Sequence, residues 1–284
     1  MNSTASHKAI IYDGECPLCD AYTRTFVKMG ILKNEERIPF SELKNQEFIS
    51  RMDVSRQGNE IPLVDLNGGE TIYGIDALLF LLAKKWKWIE SVFHFRPLYF
   101  LFAQLYSTIS YNRRIILAKK YRELECSCAP RFHLGYRLAF IFIAAMISFF
   151  ITGMFGNALA ETGVFKIENA GMKMDAICGT GWALTILFAM VFMKKNRIDY
   201  IGHLAVLEII GVLVLLPSII ISPLIGFSGF VFCLMSVLFS SAVMLRGHIG
   251  RVRTLGLSNR WTAIWFFSLQ ATAIFWILEF SLLK

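Results

Sequence analysis

The sequence predicts a two-part chain: an α/β unit at the N-terminal end, followed by an all-α membrane unit of about five transmembrane helices. Three observations predict it. Most of the charge lies before about residue 133, and the rest is apolar segments joined by short loops. A mean hydropathy of +0.52 with 55% hydrophobic residues is more apolar than a soluble chain of 284 residues carries. Finally, Cys16-Pro17-Leu18-Cys19 sits between a strand-length apolar run, residues 9–12, and a helical pattern.

Residues 7–12 read as a first strand, and 16–29 as a helix that stops at Gly30. Residues 37–40 are a second strand, with Pro39 at an edge or strand end. Ser41 is the candidate N-cap of a short helix over 41–50. Residues 60–66 read as strand, Asn67-Gly68-Gly69 as a hairpin turn and 70–73 as the return strand. A helix over 77–85 follows, with Leu78, Leu79, Leu81 and Leu82 available for burial. The order β-α-β-α-β-β-α is thioredoxin-like. In that fold a cis proline opens the third core strand and faces the cysteines, and Ile61-Pro62 is the candidate here. Residues 97–109 are aromatic and apolar. Only 16 residues separate Arg96 from Arg113, however, and Gln104, Ser107, Thr108, Ser110 and Asn112 are among them. That is short of the roughly 20 apolar residues of a span. The stretch therefore reads as helices packed on the soluble core or lying at the membrane surface.

Residues 134–154, 177–193, 201–222, 224–245 and 261–283 are the five candidate spans. Arg131 and Arg137 lead into the first. Lys194, Lys195 and Arg197 lie between the second and third, and Arg246, Arg251, Arg253 and Arg260 between the fourth and fifth. The loop between the first two spans holds Glu161, Glu168 and Asp175 against Lys166 and Lys173, a net of −1. The positive-inside rule then predicts an integral protein of the inner (cytoplasmic) membrane, with its N-terminal domain cytoplasmic and its C-terminus outside. Residues 1–8 are polar, so no cleaved export signal is expected. Much of the basic charge behind the +8 net flanks these apolar segments, where it fixes topology. The lipid bilayer is the expected partner, and nucleic acid is not.

Tyr12-Asp13-Gly14-Glu15-Cys16-Pro17-Leu18-Cys19, the stretch Tyr73-Gly74-Ile75-Asp76-Ala77, and Tyr106 through Asn112-Arg113 followed by Cys126 resemble the DCC family (DxxCxxC) of predicted thiol-disulfide oxidoreductases. The resemblance covers residues 8–130, the N-terminal domain being placed at 1–130 and the membrane domain at 134–284. It implies a thioredoxin-like fold with Cys16 and Cys19 as the redox pair. Where many members carry one late cysteine, this chain has Cys126-Ser127-Cys128. Residues 135–250, through Leu207-Glu208-Ile209-Ile210-Gly211, Leu215-Leu216-Pro217 and a further span ending near His248, are similar to the DoxX-like membrane family, small four-span proteins linked to membrane redox metabolism. The second span has no clear counterpart there.

A cysteine at a helix start faces unpaired N–H groups and the positive end of the macrodipole, which favour thiolate. Cys16 is thus expected to be an exposed attacking thiolate and Cys19 the resolving thiol. Such a site needs no cofactor. A zinc site would need two more ligands, which Cys126 and Cys128 could supply, but no metal is expected. Asp13 is either a buried proton acceptor for Cys19 or a turn residue beside Gly14. Cys126 and Cys128 are either a second dithiol relay or unpaired thiols, while Cys178 and Cys233 read as small apolar fillers. Glu208, inside a span, is costly in hydrocarbon and so a functional candidate. With His203 and His248 it could bind a quinone, haem or metal; the competing reading is a histidine pair that only solvates an interface. The function expected is a membrane-anchored thiol-disulfide oxidoreductase acting on protein or small-molecule thiols, coupled to a membrane electron carrier such as quinone. The alternative is a non-enzymatic transporter or scaffold whose cysteine unit only binds or senses.

Overall fold

Five consecutive apolar or aliphatic-stemmed residues, Lys8–Tyr12, form strand β1, and all five are buried. They are buried because β1 is an inner strand covered on both faces. Ile10 and Tyr12 face one apolar cluster with Phe26, Leu63 and Leu81. Ile11, pointing the other way, meets Met52 and Val64. In the computed structural model, residues 8–43, 49–50, 52–53, 56, 58–118, 130–164 and 166–282 are described. The chain divides into two compact units, Met1–Arg137 and Leu138–Lys284.

In the first unit β2 (Arg37–Pro39) runs parallel to β1, and β3 (Pro62–Asp65) antiparallel to it. β4 (Ile72–Tyr73) closes a four-stranded sheet of order β2-β1-β3-β4. Helix α1 (Pro17–Lys28) crosses from β1 to β2, as a parallel pair requires. Arg37 fastens that crossover: its guanidinium sits 4.2 Å from the Tyr12 ring centroid, donates to the Thr23 hydroxyl at 2.8 Å and pairs with the Asp20 carboxylate. Gly74 opens α2 (Gly74–Ala83) at φ +63°, where a Cβ would lie 3.2 Å from the Glu60 carboxylate.

The short helix α3 (Glu90–His94) leads into α4 (Arg96–Leu117), one continuous helix of 22 residues. Its inner face buries polar groups: Thr108, Ser110, Asn112 and Arg113. Asn112 is fully enclosed, donating to the Thr108 and Tyr136 carbonyls and accepting from Arg137 Nε at 2.6 Å. Of the helix expected over 41–50, the start is a 3₁₀ turn at Phe40–Glu42, residues 44–48 lie outside the described residues, and residues 49–50 are helical.

The second unit is helical. Among the described residues five helices are long and apolar enough to cross a membrane. They are α5 (Leu134–Glu161), α6 (Ala170–Phe192), α7 (Arg197–Ile221), α8 (Phe227–Thr254) and α9 (Arg260–Leu282). α6 begins seven residues before the expected second span, so Lys173 and Asp175 belong to a helix and not to the loop. Asp175 is accommodated there by the Thr152 hydroxyl, which donates to it at 2.6 Å. Small residues set the close contacts, as is usual without a hydrophobic drive between helices. Gly211 accepts Ser240 at its carbonyl and abuts Met244, and a Cβ on Gly229 would fall 2.0 Å from the Ser222 carbonyl oxygen.

Candidate active site

The turn Asp13-Gly14-Glu15-Cys16 joins β1 to α1. Asp13 organises it: its Oδ1 accepts the Glu15 N–H at 3.0 Å and its carbonyl accepts the Cys16 N–H at 3.1 Å. Cys16 is the N-cap of α1, and Pro17 occupies the first helical position, where a missing N–H costs nothing. The Cys16 sulfur does what a capping oxygen does elsewhere: it accepts the Cys19 backbone N–H at 3.3 Å.

The expectation of an exposed Cys16 is overturned. Cys16 is 0% exposed and Cys19 4%. A sulfur that caps its own helix turns inward, and both thiols join the core cluster of Ile10, Tyr12 and Phe26. Both are free cysteines. Their protons are unequally held. Cys16 is lowered to about 6, first by the Cys19 thiol donating to it, then by the Cys19 N–H and the Arg113 charge, all against burial. Cys19 is raised, because its proton is the one shared with the Cys16 thiolate and because it is buried.

Arg113 Nη2 lies 4.0 Å from Asp13 Oδ2, with both side chains about nine-tenths buried, and donates to the Gly58 carbonyl at 2.9 Å. It favours the thiolate of either cysteine, and Asp13 opposes it. Asp13 is thus the turn residue and also a carboxylate beside the pair. Tyr106 accepts the Ile61 N–H at 3.1 Å, and burial pushes its hydroxyl up to about 12.

A cavity of about 280 Å³ opens on this cluster. Cys19, Asp13, Glu60, Ser110 and Arg113 supply its polar wall, and Tyr22, Pro62 and Tyr106 are among the other walls; Cys16 is not among its lining residues. Pro62 opens β3 opposite Cys19 as expected, but its peptide bond is trans: no cis bond occurs among the described residues. The trans form is the lower in energy, and it leaves Ile61 satisfied at both ends, since its carbonyl accepts Gly74 N–H at 3.0 Å.

Tyr106 and Arg113 were legible as a motif but carried no expected role. Their signal was helical: positions 106, 110 and 113 follow i, i+4, i+7 and share one face. Cys126 and Cys128 lie outside the described residues.

The residues expected to form a site in the membrane unit separate into two places. Glu208 lines a cavity of about 250 Å³ with Ser148, Thr152, Asp175, Cys178 and Trp182. Neither histidine lines it. His203 Nδ1 lies 2.8 Å from Arg251 Nη1. His248 bonds Tyr200 Oη at 3.0 Å and Thr262 Oγ1 at 3.2 Å and stacks on Trp265. On α7, five residues turn Glu208 about 140° away from His203. Cys178, read as a filler, belongs to the Glu208 cavity, whereas Cys233 is a buried donor to Ser222. No group of three metal-ligating side chains is present among the described residues.

No curated protein and no solved structure matches the chain. The model of the DCC1-like thiol-disulfide oxidoreductase family matches residues 10–119, from β1 to just past α4 and under half of the chain. That stretch carries the paired thiols, Pro62, Tyr106 and Arg113, so over this part the chain is similar to a family of thiol-disulfide oxidoreductases.

Proposed function

We propose that the chain exchanges disulfides through Cys16 and Cys19 while its five apolar helices hold it in the inner membrane, N-terminal unit cytoplasmic and C-terminus outside. The observation that carries the redox reading is the Cys19 N–H aimed at the Cys16 sulfur, a contact that together with the Cys19 thiol lowers the Cys16 pKa. The Cys16 thiolate, enclosed in the resting structure and therefore acting only once the turn at 13–16 uncovers it, attacks one sulfur of a substrate disulfide, and the other sulfur leaves as thiolate. Cys19, giving its proton to the Asp13 carboxylate, then attacks Cys16 Sγ. The second substrate thiol departs, and a Cys16–Cys19 disulfide remains. Two electrons have passed to the substrate, and the reverse sequence oxidises a dithiol. Protein or small-molecule thiols fit this chemistry. The orientation rests on the basic residues at 194–197 and 246–260, set against one lysine and one glutamate in the loop 162–169.

The finer reading is coupling to a membrane quinone at the Glu208 cavity. Ser148 Oγ and Trp182 Nε1 are buried there without a hydrogen-bond partner among the described residues. Two such donors suit the two carbonyl oxygens of a quinone, and Phe142 and Phe149 suit its ring. A quinone there would take up the two electrons and two protons that a dithiol gives up. Glu208 and Asp175 are the chain's proton-carrying groups beside it. Haem is not proposed, because both histidines are already engaged.

The test uses the full chain in lipid nanodiscs, with turnover of a chromogenic aromatic disulfide and reduction of a short-chain quinone as separate readouts. Cys16→Ser should abolish both, and Cys19→Ser should accumulate a mixed disulfide. Glu208→Gln should slow only the quinone reaction. Undiminished disulfide turnover in both cysteine variants would leave the non-enzymatic reading in its place.

A further inference from the structure

Helix α4 faces two ways. Its inner face supplies Tyr106 and Arg113 to the thiol cavity. Its outer face is exposed and, apart from Gln104, apolar: Phe100 is 64% exposed, Leu101 61%, Leu105 46% and Ile109 41%. Trp88 and Phe95, just before it, are also exposed. A contiguous apolar surface of this kind marks an interaction site.

The surroundings identify the occupant. Between residues 84 and 114 the exposed charged side chains are Lys84, Lys85, Lys87, Arg96 and Arg114 against Glu90 alone. Basic residues bordering an apolar helix face, with an exposed tryptophan at its start, are the signature of a helix lying in a lipid interface. Anionic headgroups complement that charge. The bilayer is also at hand. The first membrane helix begins at Leu134, 17 residues after α4 ends at Leu117, so the connecting chain reaches no further than about 60 Å. At such a tether length even a weak surface interaction is populated.

We propose that α4 rests in the surface of the membrane that holds the five helices, with Phe100, Leu101 and Leu105 among the acyl chains and Lys84, Lys87 and Arg96 at anionic headgroups. Ile109 belongs to both surfaces, lining the cavity and ending the apolar face. The cavity mouth therefore borders lipid. In the part that rests on the redox reading above, the thiol site takes a partner with an apolar body dissolved in the membrane.

The test incorporates the photocrosslinker benzoylphenylalanine at position 101 of the full chain, in nanodiscs of phosphatidylethanolamine and phosphatidylglycerol. Position 25, on the exposed side of α1, is the control. Lipid adducts should exceed those at position 25 by at least about fivefold. Replacing phosphatidylglycerol by phosphatidylcholine should reduce them. Adducts to a second protein chain, or equal lipid labelling at the two positions, would overturn docking. Labelling needs no turnover, so a Cys16→Ser chain should label alike, and a docking failure is separable from a failure of the redox reading. The substrate arm is Leu101→Glu. It should slow turnover of a long-chain alkyl disulfide several-fold relative to a water-soluble one, and equal rates for the two would overturn it.

Discussion

The Cys19 backbone N–H points at the Cys16 sulfur from 3.3 Å, so the residue that starts the helix caps it with its own thiol sulfur. This single contact joins folding to chemistry. It satisfies one of the orphan donors of the first turn, and it stabilises negative charge on the sulfur that must carry it.

The first consequence is a titration. With Cys16 at about 6, its thiolate is present above that pH and is lost as the pH falls through it. Ultraviolet thiolate absorbance of the reduced chain should show a step there that Cys16→Ser removes. Cys19→Ala deletes the thiol donor, the largest cause of the lowering, and should move the step upward. A step that stays in place in Cys19→Ala would show that the donor is not the cause.

Arg113 should act through charge as well as structure. Arg113→Met withdraws the cation that favours both thiolates and should shift the same titration upward. It also leaves the Gly58 carbonyl without its donor, at a cost of about 1–3 kcal/mol. Arg113→Lys should restore the titration better than the stability, because lysine keeps the charge but not the planar fork. If both lysine and methionine leave the titration unmoved, the residue is structural only.

Gly74→Ala tests the backbone beneath the cavity. At φ +63°, with Glu60 and the Tyr106 ring 3.2 and 3.4 Å from the added carbon, it should destabilise the chain by about 1–2 kcal/mol. Chemical denaturation followed by tryptophan fluorescence reads this. Tyr106→Phe, which strips the acceptor from the Ile61 N–H, should cost about 1–3 kcal/mol. An unchanged midpoint in both would deny that this corner supports the site.

In the membrane unit, Gly229→Leu should be far worse than Gly250→Leu. A side chain at 229 collides with the Ser222 backbone, while position 250 has open space around a Cβ. Yield and melting in detergent should fall for the first variant alone; similar losses in both would remove the close approach as the reason.

Local signals wrote most of the fold into the chain. The strand–CxxC–helix order, the hairpin after Pro62 and the five long apolar helices depend on periodicity, turn residues and hydropathy within short windows. The site was legible only in part. That Cys16 and Cys19 form a pair follows from their spacing, but that Cys16 is enclosed does not, because it depends on which way a capping sulfur turns against β1 and α2. That Arg113 stands beside Asp13 joins residues a hundred positions apart. A cis bond at Pro62 was inferred from the fold, and the hydrogen bonds around Ile61 are met with a trans bond. Glu208 was marked by its cost in hydrocarbon, yet its neighbours proved to be Asp175 and Cys178 rather than the histidines. The elements, the thiol pair and the apolar helices are properties of neighbouring residues and can be read along the chain. Burial, charge partners and cavity walls cannot, because packing brings together side chains that no local period relates.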